Sequence, residues 1–403
     1  MINASNAFAL PSFSRQTGEA CDSCHVGGYG PQLTPHGMKF KISGYTDNDN
    51  KGGHIPLAAM LVANLTHTKS DQDVSILPES SHANNNVAMQ ELSGFVGGQL
   101  VGKLGAFAQV TYSGVEKQTA LDNVDLRYAT DVKAGGGTAI VGVSVNNNPS
   151  VQDPFNTTPA WRFPYVTSDY APGPEHAPVI DGALEQQVFG ATVYTLLPNG
   201  IYAEAGGYHA LNETFLNKMH VGAENHVSGV APYWRLAYTK DGGGRWFSAG
   251  LFGIKAAINQ FGEDGSTDKN TDVGIDGHYQ FLGTRTHVLS VDGSFIHEAQ
   301  TLDATGGGAE ESLKQFNISG SYHYDKTYGL TVRHFNTTGT AEGTDSRGWT
   351  LQGDWTPFGK ESSWKAPYAN FRFGVQYTLF DKLNGATGVS GSNSVMGFLW
   401  LSL

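Results

Sequence analysis

Cys21 and Cys24 are the two cysteines of the chain, and His25 follows directly. With Asp22 and Ser23 between them they read C-x-x-C-H, the pattern at which a c-type haem is attached. The spacing has a chemical cause. Two thiols separated by two residues reach the two vinyl groups on one edge of a porphyrin, and the adjacent imidazole reaches the iron from one face. Three other uses of such a pair are a disulfide, a redox-active C-x-x-C and half of a zinc site. A zinc site needs a second pair of ligands at suitable spacing, and no further cysteine exists. A thioredoxin-like motif needs a βαβ setting, whereas these flanks are Gly- and Pro-rich loop. The motif predicts one covalently bound c-type haem held by Cys21, Cys24 and His25. Covalent haem is attached outside the cytoplasm, so the chain is expected to be exported.

His25 supplies one axial bond to the haem iron. Candidates for the other are His36, Met38, His54 and Met60. Strand geometry favours Met60. If 57–68 is the first strand, Ala58, Met60, Val62, Asn64 and Thr66 share one face, and Leu57, Ala59, Leu61, Ala63 and Leu65 the other. A thioether on the inner face, close in sequence to the haem segment, is placed to reach a haem held inside. His/Met ligation raises the potential, which suits taking electrons from a weak reductant. Arg15 is expected at a haem propionate, where guanidinium–carboxylate geometry is bidentate.

The rest of the chain must position this segment. Of 403 residues 52 are Gly, and charged residues make up 15%, well below the roughly 25% of an ordinary soluble domain. A disordered chain would carry more charge or more proline. A helical membrane protein would show runs of about 20 apolar residues, and none occurs. From Leu57 onward the period is two. Phe371, Phe373, Val375, Tyr377 and Leu379 alternate with Arg372, Gly374, Gln376 and Thr378. Leu289, Val291, Gly293 and Phe295 alternate with Ser290, Asp292 and Ser294, and Trp234, Leu236 and Tyr238 alternate with Tyr233 and Arg235.

Sixteen strands are expected, near 57–68, 87–101, 104–116, 121–134, 138–147, 183–197, 200–211, 231–241, 245–259, 269–283, 287–300, 311–324, 327–338, 348–358, 369–382 and 393–403. Short connections mostly alternate with long ones; 117–120 and 359–368 break the trend. An even strand count with short turns on one side marks a transmembrane β-barrel of the bacterial outer membrane, short side periplasmic. The expected organisation is a signal-peptide remnant or cloning scar at 1–7, a monohaem cytochrome c domain at 8–56, and an outer-membrane barrel at 57–403. Both ends of an even barrel face the periplasm, so the haem segment enters from there, either hanging below the barrel or plugging its lumen.

Two stretches resemble a known family. Pro11, Ser12, Phe13, Ser14, Arg15, Gln16, Thr17 and Gly18, then Cys21 to His25, then Leu33, Thr34, Pro35, Gly37, Phe40, Lys41, Gly44, Tyr45 and Thr46 form the first. Asn146 to Asp153, Thr157 to Trp161, and Phe163, Pro164 and Tyr165 form the second. They are similar to the fused monohaem cytochrome–porins of iron-oxidising bacteria, and with the strand count the resemblance spans nearly the whole chain. It implies an iron(II):cytochrome c oxidoreductase-type electron transfer. Fe(II) at the cell surface is then the electron donor, and a periplasmic c-type cytochrome or similar carrier is the acceptor.

Charge points the same way. The formal net charge is −12. Asp71, Asp73, Glu79, Asp153, Asp169, Glu175, Asp181, Glu263 and Asp264 all fall in expected outer loops, and a negative mouth gathers divalent cations. No Glu-x-x-His pair of the di-iron type appears, so outer-sphere transfer or a loosely held ion is expected. An acidic chain without basic patches excludes nucleic acid as a partner; outer-membrane lipid is the expected surroundings. The long connection 148–182 is Pro-rich and carries Trp161, Phe163 and Tyr165, which predicts an ordered loop over the mouth or inside the lumen.

Overall fold

A computed structural model of the chain describes residues 10–78, 81–260, 265–363 and 368–403. Residues 1–7, read above as a remnant or scar, lie outside the described residues, as do Glu79, Glu263 and Asp264.

The strands are β1 (Leu57–Thr68), β2 (Asn86–Val101), β3 (Leu104–Ser113), β4 (Gln118–Ala134), β5 (Gly137–Asn146), β6 (Val188–Leu196), β7 (Ile201–Ala210), β8 (Asn225–Val227) and β9 (Ala231–Gly242). They continue with β10 (Arg245–Gln260), β11 (Asp268–Phe281), β12 (His287–Leu302), β13 (Ala309–Tyr324), β14 (Tyr328–Gly339), β15 (Ser346–Trp355), β16 (Asn370–Leu383), β17 (Ala386–Thr387) and β18 (Ser394–Ser402). Apart from the short β8 and β17, these are the sixteen strands that the alternation predicts. Each long strand pairs antiparallel with the next, and β1 pairs with β18 to close the barrel. Closure leaves no unpaired edge, which is the condition for strands to cross lipid. Among the described residues no helix is long and apolar enough to cross a membrane.

The alternation sorts side chains by solvent. Ala58, Met60, Val62, Asn64, Thr66 and Thr68 of β1 are buried inside, while Leu57, Ala59 and Leu65 face out. Phe373, Val375 and Tyr377 are exposed on the outer face of β16, and Arg372, Gly374 and Gln376 are buried. Outward Phe247, Phe281, Tyr324, Tyr328, Trp355 and Phe373 gather near the short-turn end, where an aromatic girdle meets the membrane interface. The largest boundary difference is at β6, which begins at Val188 rather than 183. The chain at 179–183 is a helical turn whose Gly182 takes φ 100°, and an extended strand cannot run through it.

Residues 10–45 pack inside the lumen at the short-turn end, and 46–56 lead, largely exposed, to β1. The packed residues form α1 (Pro11–Thr17), α2 (Cys21–Cys24) and α3 (Pro35–Ile42). Pro opens both α1 and α3, where its missing N–H costs nothing. Thr34 caps α3 by accepting from the Gly37 N–H at 3.3 Å, and Gly18 ends α1 in the left-handed region. Polar contacts reach the wall on every side. The Tyr29 hydroxyl meets Ser402 of β18 at 2.5 Å, and the Gln32 amide donates to Ser290 of β12 at 2.8 Å. The Gln280 amide of β11 donates to the Leu33 carbonyl, the Tyr45 hydroxyl to Asp125 of β4, and the Tyr194 hydroxyl of β6 to the Ile42 carbonyl. At Gly105 a Cβ would come within 2.1 Å of the Gly44 carbonyl oxygen, so only glycine lets the segment lie this close to the wall.

From the opposite end the connection between β5 and β6 folds inward. Its Asp153 carboxylate accepts from the N–H groups of Phe155, Thr157 and Thr158 and faces Arg235 of β9 at 3.5 Å. The core therefore lies within the barrel. Leu10, Tyr29, Phe40 and Tyr45 of the N-terminal segment meet Met60, Phe95, Phe107, Phe398 and Trp400 of the wall, and Val151, Trp161, Phe163 and Tyr165 of the infolded loop.

Candidate functional site

The C-x-x-C-H residues occupy one turn. Cys21 and Cys24 are three apart on α2 and so point to the same side. The His25 N–H closes the turn on the Cys21 carbonyl at 2.9 Å, and His25 then runs extended, bridged to Leu33. Helix α3 lies directly on this turn. The Thr34 N–H donates to the Cys24 carbonyl at 2.8 Å. A Cβ at Gly37 would sit 2.3 Å from that carbonyl oxygen, so the glycine is what lets α3 approach.

The turn opens onto a small cavity lined by Cys24, His25, Pro31, Leu33, Gly37 and Lys41, by Phe13, Phe40, Tyr45 and Phe107, and by Asn156 and Trp161 of the infolded loop. Burial drives the His25 imidazole down to about 4, against the pull of the Gln32 and Pro31 carbonyls. The ring is therefore neutral at neutral pH, and its buried Nδ1 has no hydrogen-bond partner. A neutral imidazole with a free ring nitrogen is the form that ligates metals. Burial pushes the Cys21 thiol up to about 11 and the Cys24 thiol up to about 12. Both remain unpaired thiols rather than reactive thiolates. This donor set, a neutral imidazole and the Cys24 thiol on an aromatic cavity with the Cys21 thiol on the same turn, has the chemistry a c-type haem requires.

Lys41 is the one ammonium in the lining. Its Nζ donates to the Val151 carbonyl at 2.6 Å and stands 3.8 Å from the Trp161 ring centroid. Burial lowers it to about 7. Asn156 accepts from the Leu33 N–H at 2.8 Å, and its buried Nδ2 has no partner. Nothing local in the sequence marks Lys41, Asn156 or Trp161 as cavity residues; the loop that carries two of them reads only as an ordered loop over the mouth or inside the lumen.

The other candidates stand elsewhere. Met60 is 2% exposed and faces the lumen, packed in the aromatic cluster beside the cavity rather than among its lining residues. Met38 packs with Ile42, Ile140, Phe155 and Tyr194. His36 Nε2 is 2.7 Å from Glu19, and His54 Nε2 is 2.7 Å from Asp49. Arg15 donates to the Leu57 carbonyl.

Beyond the infolded loop a second, larger space opens toward the long-loop end, lined by Arg162, Pro164, His176, Asp181, Glu185 and Arg333 among others. Pro159, Ala160 and Arg162 face this vestibule, while Trp161 between them faces the inner cavity. A single layer of chain separates the two. The acids of the long connection mostly turn inward. Asp153 is fully buried, Asp169 accepts from Gln90, and Asp181 pairs with Arg162. Asp71, Asp73 and Glu175 remain exposed.

No protein-family model matches the sequence, and no curated protein matches it. Solved structures do. An anion-selective porin from Comamonas acidovorans is 13% identical, with a TM-score of 0.48 over 86% of this chain and 98% of that one. OmpF of Salmonella typhi, in complex with daunomycin, is 12% identical, with a TM-score of 0.48 over 86% and 97%. A loop-deletion mutant of the Vibrio cholerae outer-membrane protein OmpT is 9% identical, with a TM-score of 0.46 over 86% and 97%. The chain's own geometry, a closed antiparallel barrel of sixteen spanning strands with an apolar exterior and short turns at one end, is that of a porin-like protein of the bacterial outer membrane.

Proposed function

We propose that this chain passes electrons across the outer membrane, from Fe(II) at the cell surface to a periplasmic c-type cytochrome or similar carrier. The observation that carries this reading is the buried His25 imidazole, its Nδ1 without a hydrogen-bond partner, on an aromatic cavity directly after two thiols on one turn. One c-type haem, joined through Cys21 and Cys24 and ligated by His25, would supply a one-electron couple there. Everything else falls to the chain. Phe13, Phe40, Tyr45, Phe107 and Trp161 keep water from the cavity. Met60 remains the proposed second axial ligand, because it shares one packed cluster with Phe40, Tyr45, Phe107 and Trp161 of the lining. Lys41 is better placed than Arg15 to oppose buried carboxylates.

The loop layer at 159–162 gives the arrangement its purpose. Fe(III) precipitates at neutral pH, so iron is best oxidised before it enters the periplasm. With Pro159, Ala160 and Arg162 on the vestibule and Trp161 on the inner cavity, this layer would hold an ion on the outer side of a bound haem. Mixing the purified haem-loaded protein with Fe(II) at neutral pH in a stopped-flow spectrometer is expected to give the reduced haem spectrum. No reduction would sink the iron reading and turn attention to a different extracellular donor or acceptor. Lys41→Met is expected to lower the midpoint potential by about 59 mV, a tenfold shift for a one-electron couple; an unchanged redox titration would remove Lys41 from the site.

A diffusion porin with a structural haem is the second reading, favoured by the wide vestibule and the porin-like barrel. Liposome swelling separates the two: solute entry through the wild-type protein supports the porin.

A further inference from the structure

Three donor side chains meet beside the C-x-x-C turn, and of these Cys24 also lines the aromatic cavity. Glu19 lies between α1 and α2, Cys24 ends α2, and His36 is in the first turn of α3. The carboxylate oxygen, the sulfur and the ring nitrogen all lie within 4.8 Å of one another, and no other such trio occurs among the described residues. Three separate pieces of backbone bring them together, and α3 is fixed against α2 by the Thr34–Cys24 hydrogen bond and by the close approach at Gly37. The fold, rather than chance rotation of long side chains, sets the spacing. His36 and Glu19 are 49% and 39% exposed, so an ion reaches them from water. Cys21, of the same motif, is not one of the three.

We propose that, before any haem is attached, Glu19, Cys24 and His36 form a binding site for a thiophilic divalent cation such as Zn(II), and that metal and haem compete for the Cys24 sulfur. One sulfur, one nitrogen and one oxygen are ordinary Zn(II) donors, and three protein ligands leave a fourth position to water. Binding exchanges the thiol proton, released to water, for a sulfur–metal bond. Attachment of haem adds the same S–H across a vinyl double bond; the sulfur bonds to one vinyl carbon and the proton goes to the other. The resulting thioether has no proton to exchange and is a poor Zn(II) ligand, so either product blocks the other. The competition rests on the haem reading; the metal site does not.

The test uses the full chain folded in detergent without haem attachment, titrated with Zn(II) by calorimetry and with Co(II) for its sulfur charge-transfer absorption. The expected result is one metal per chain, with affinity at least tenfold weaker in Cys24→Ser, Glu19→Gln and His36→Asn and unchanged in Cys21→Ser. The exposed position of His36 makes that variant safe for folding. Equal affinity in all variants, or a loss in Cys21→Ser as large as in Cys24→Ser, overturns the site. Zn(II)-loaded chain is expected to accept haem at least tenfold more slowly, and equal rates overturn the competition. A haem stain of wild-type protein made with attachment machinery is the separate check; a negative stain defeats the haem reading and leaves the metal titration valid.

Discussion

Cys21→Ser combined with Cys24→Ser is expected to abolish haem staining of the denatured protein while the barrel still folds. A thioether survives boiling in detergent; a haem held only by His25 does not. Complete loss of stain therefore measures covalent attachment alone. The barrel is expected to persist because its closure depends on strand pairing from β1 to β18, to which neither cysteine contributes. The thiols are nevertheless buried or half-buried, and a Ser in place of a buried Cys leaves a hydroxyl to satisfy, at a cost of about 1–3 kcal/mol. Heat-modified migration on a gel should show a folded barrel with a slightly lower melting temperature. A double variant that stains like wild type would refute attachment at this turn. A variant that never folds is distinguished by His25→Ala, which leaves both thiols in place and is expected to keep the stain but change the haem spectrum.

The barrel was legible because the period of two is a local property. Each of Phe373, Val375 and Tyr377 can be assigned to the outside from its own neighbours, and so can Met60 to the inside. How deep Met60 sits, and what it touches, depends on Trp161 and Phe107, which are far away in sequence. The same limit hid the rest of the cavity. Lys41 reads as an ordinary helix lysine between Phe40 and Ile42. It becomes a buried cation because Val151, 110 positions later, accepts from it. His36 and His54 were open candidates for the iron until Glu19 and Asp49 appeared beside them. Acid content read as a negative mouth in the sequence, yet Asp153 and Asp181 find arginines inside. Composition counts charges without saying which way they point.

Asp153→Ala is expected to open the lumen. This carboxylate gathers the N–H groups of Phe155, Thr157 and Thr158 at 2.9, 3.1 and 3.0 Å and the Thr158 hydroxyl at 2.8 Å. Burial opposes its charge, but Arg235 and these N–H groups outweigh burial and hold the carboxyl below the usual range. Its contribution is thus complete at neutral pH and is lost only as pH falls through that lowered value. Removing it leaves three buried N–H groups bare and takes one of two carboxylates from Arg235, whose other partner, Asp276, stays at 2.5 Å. Breaking a buried pair costs about 3–5 kcal/mol, and the whole cost falls on the loop tip, not on the strand ladder. The far end of the loop stays anchored, since Val179 and Ile180 still donate to Glu298 and Asp272. The tip carries Asn156 and runs into the layer at 159–162, so its release joins the cavity to the vestibule. In planar bilayers the wild type is expected to be closed and Asp153→Ala to conduct, while Asp71→Ala, on the exposed rim, stays closed. A variant that melts normally and stays closed would mean that the loop holds its place by apolar packing alone. An open wild type would mean that the infolded loop only narrows a working pore, and the electron-transfer reading would lose the wall it depends on.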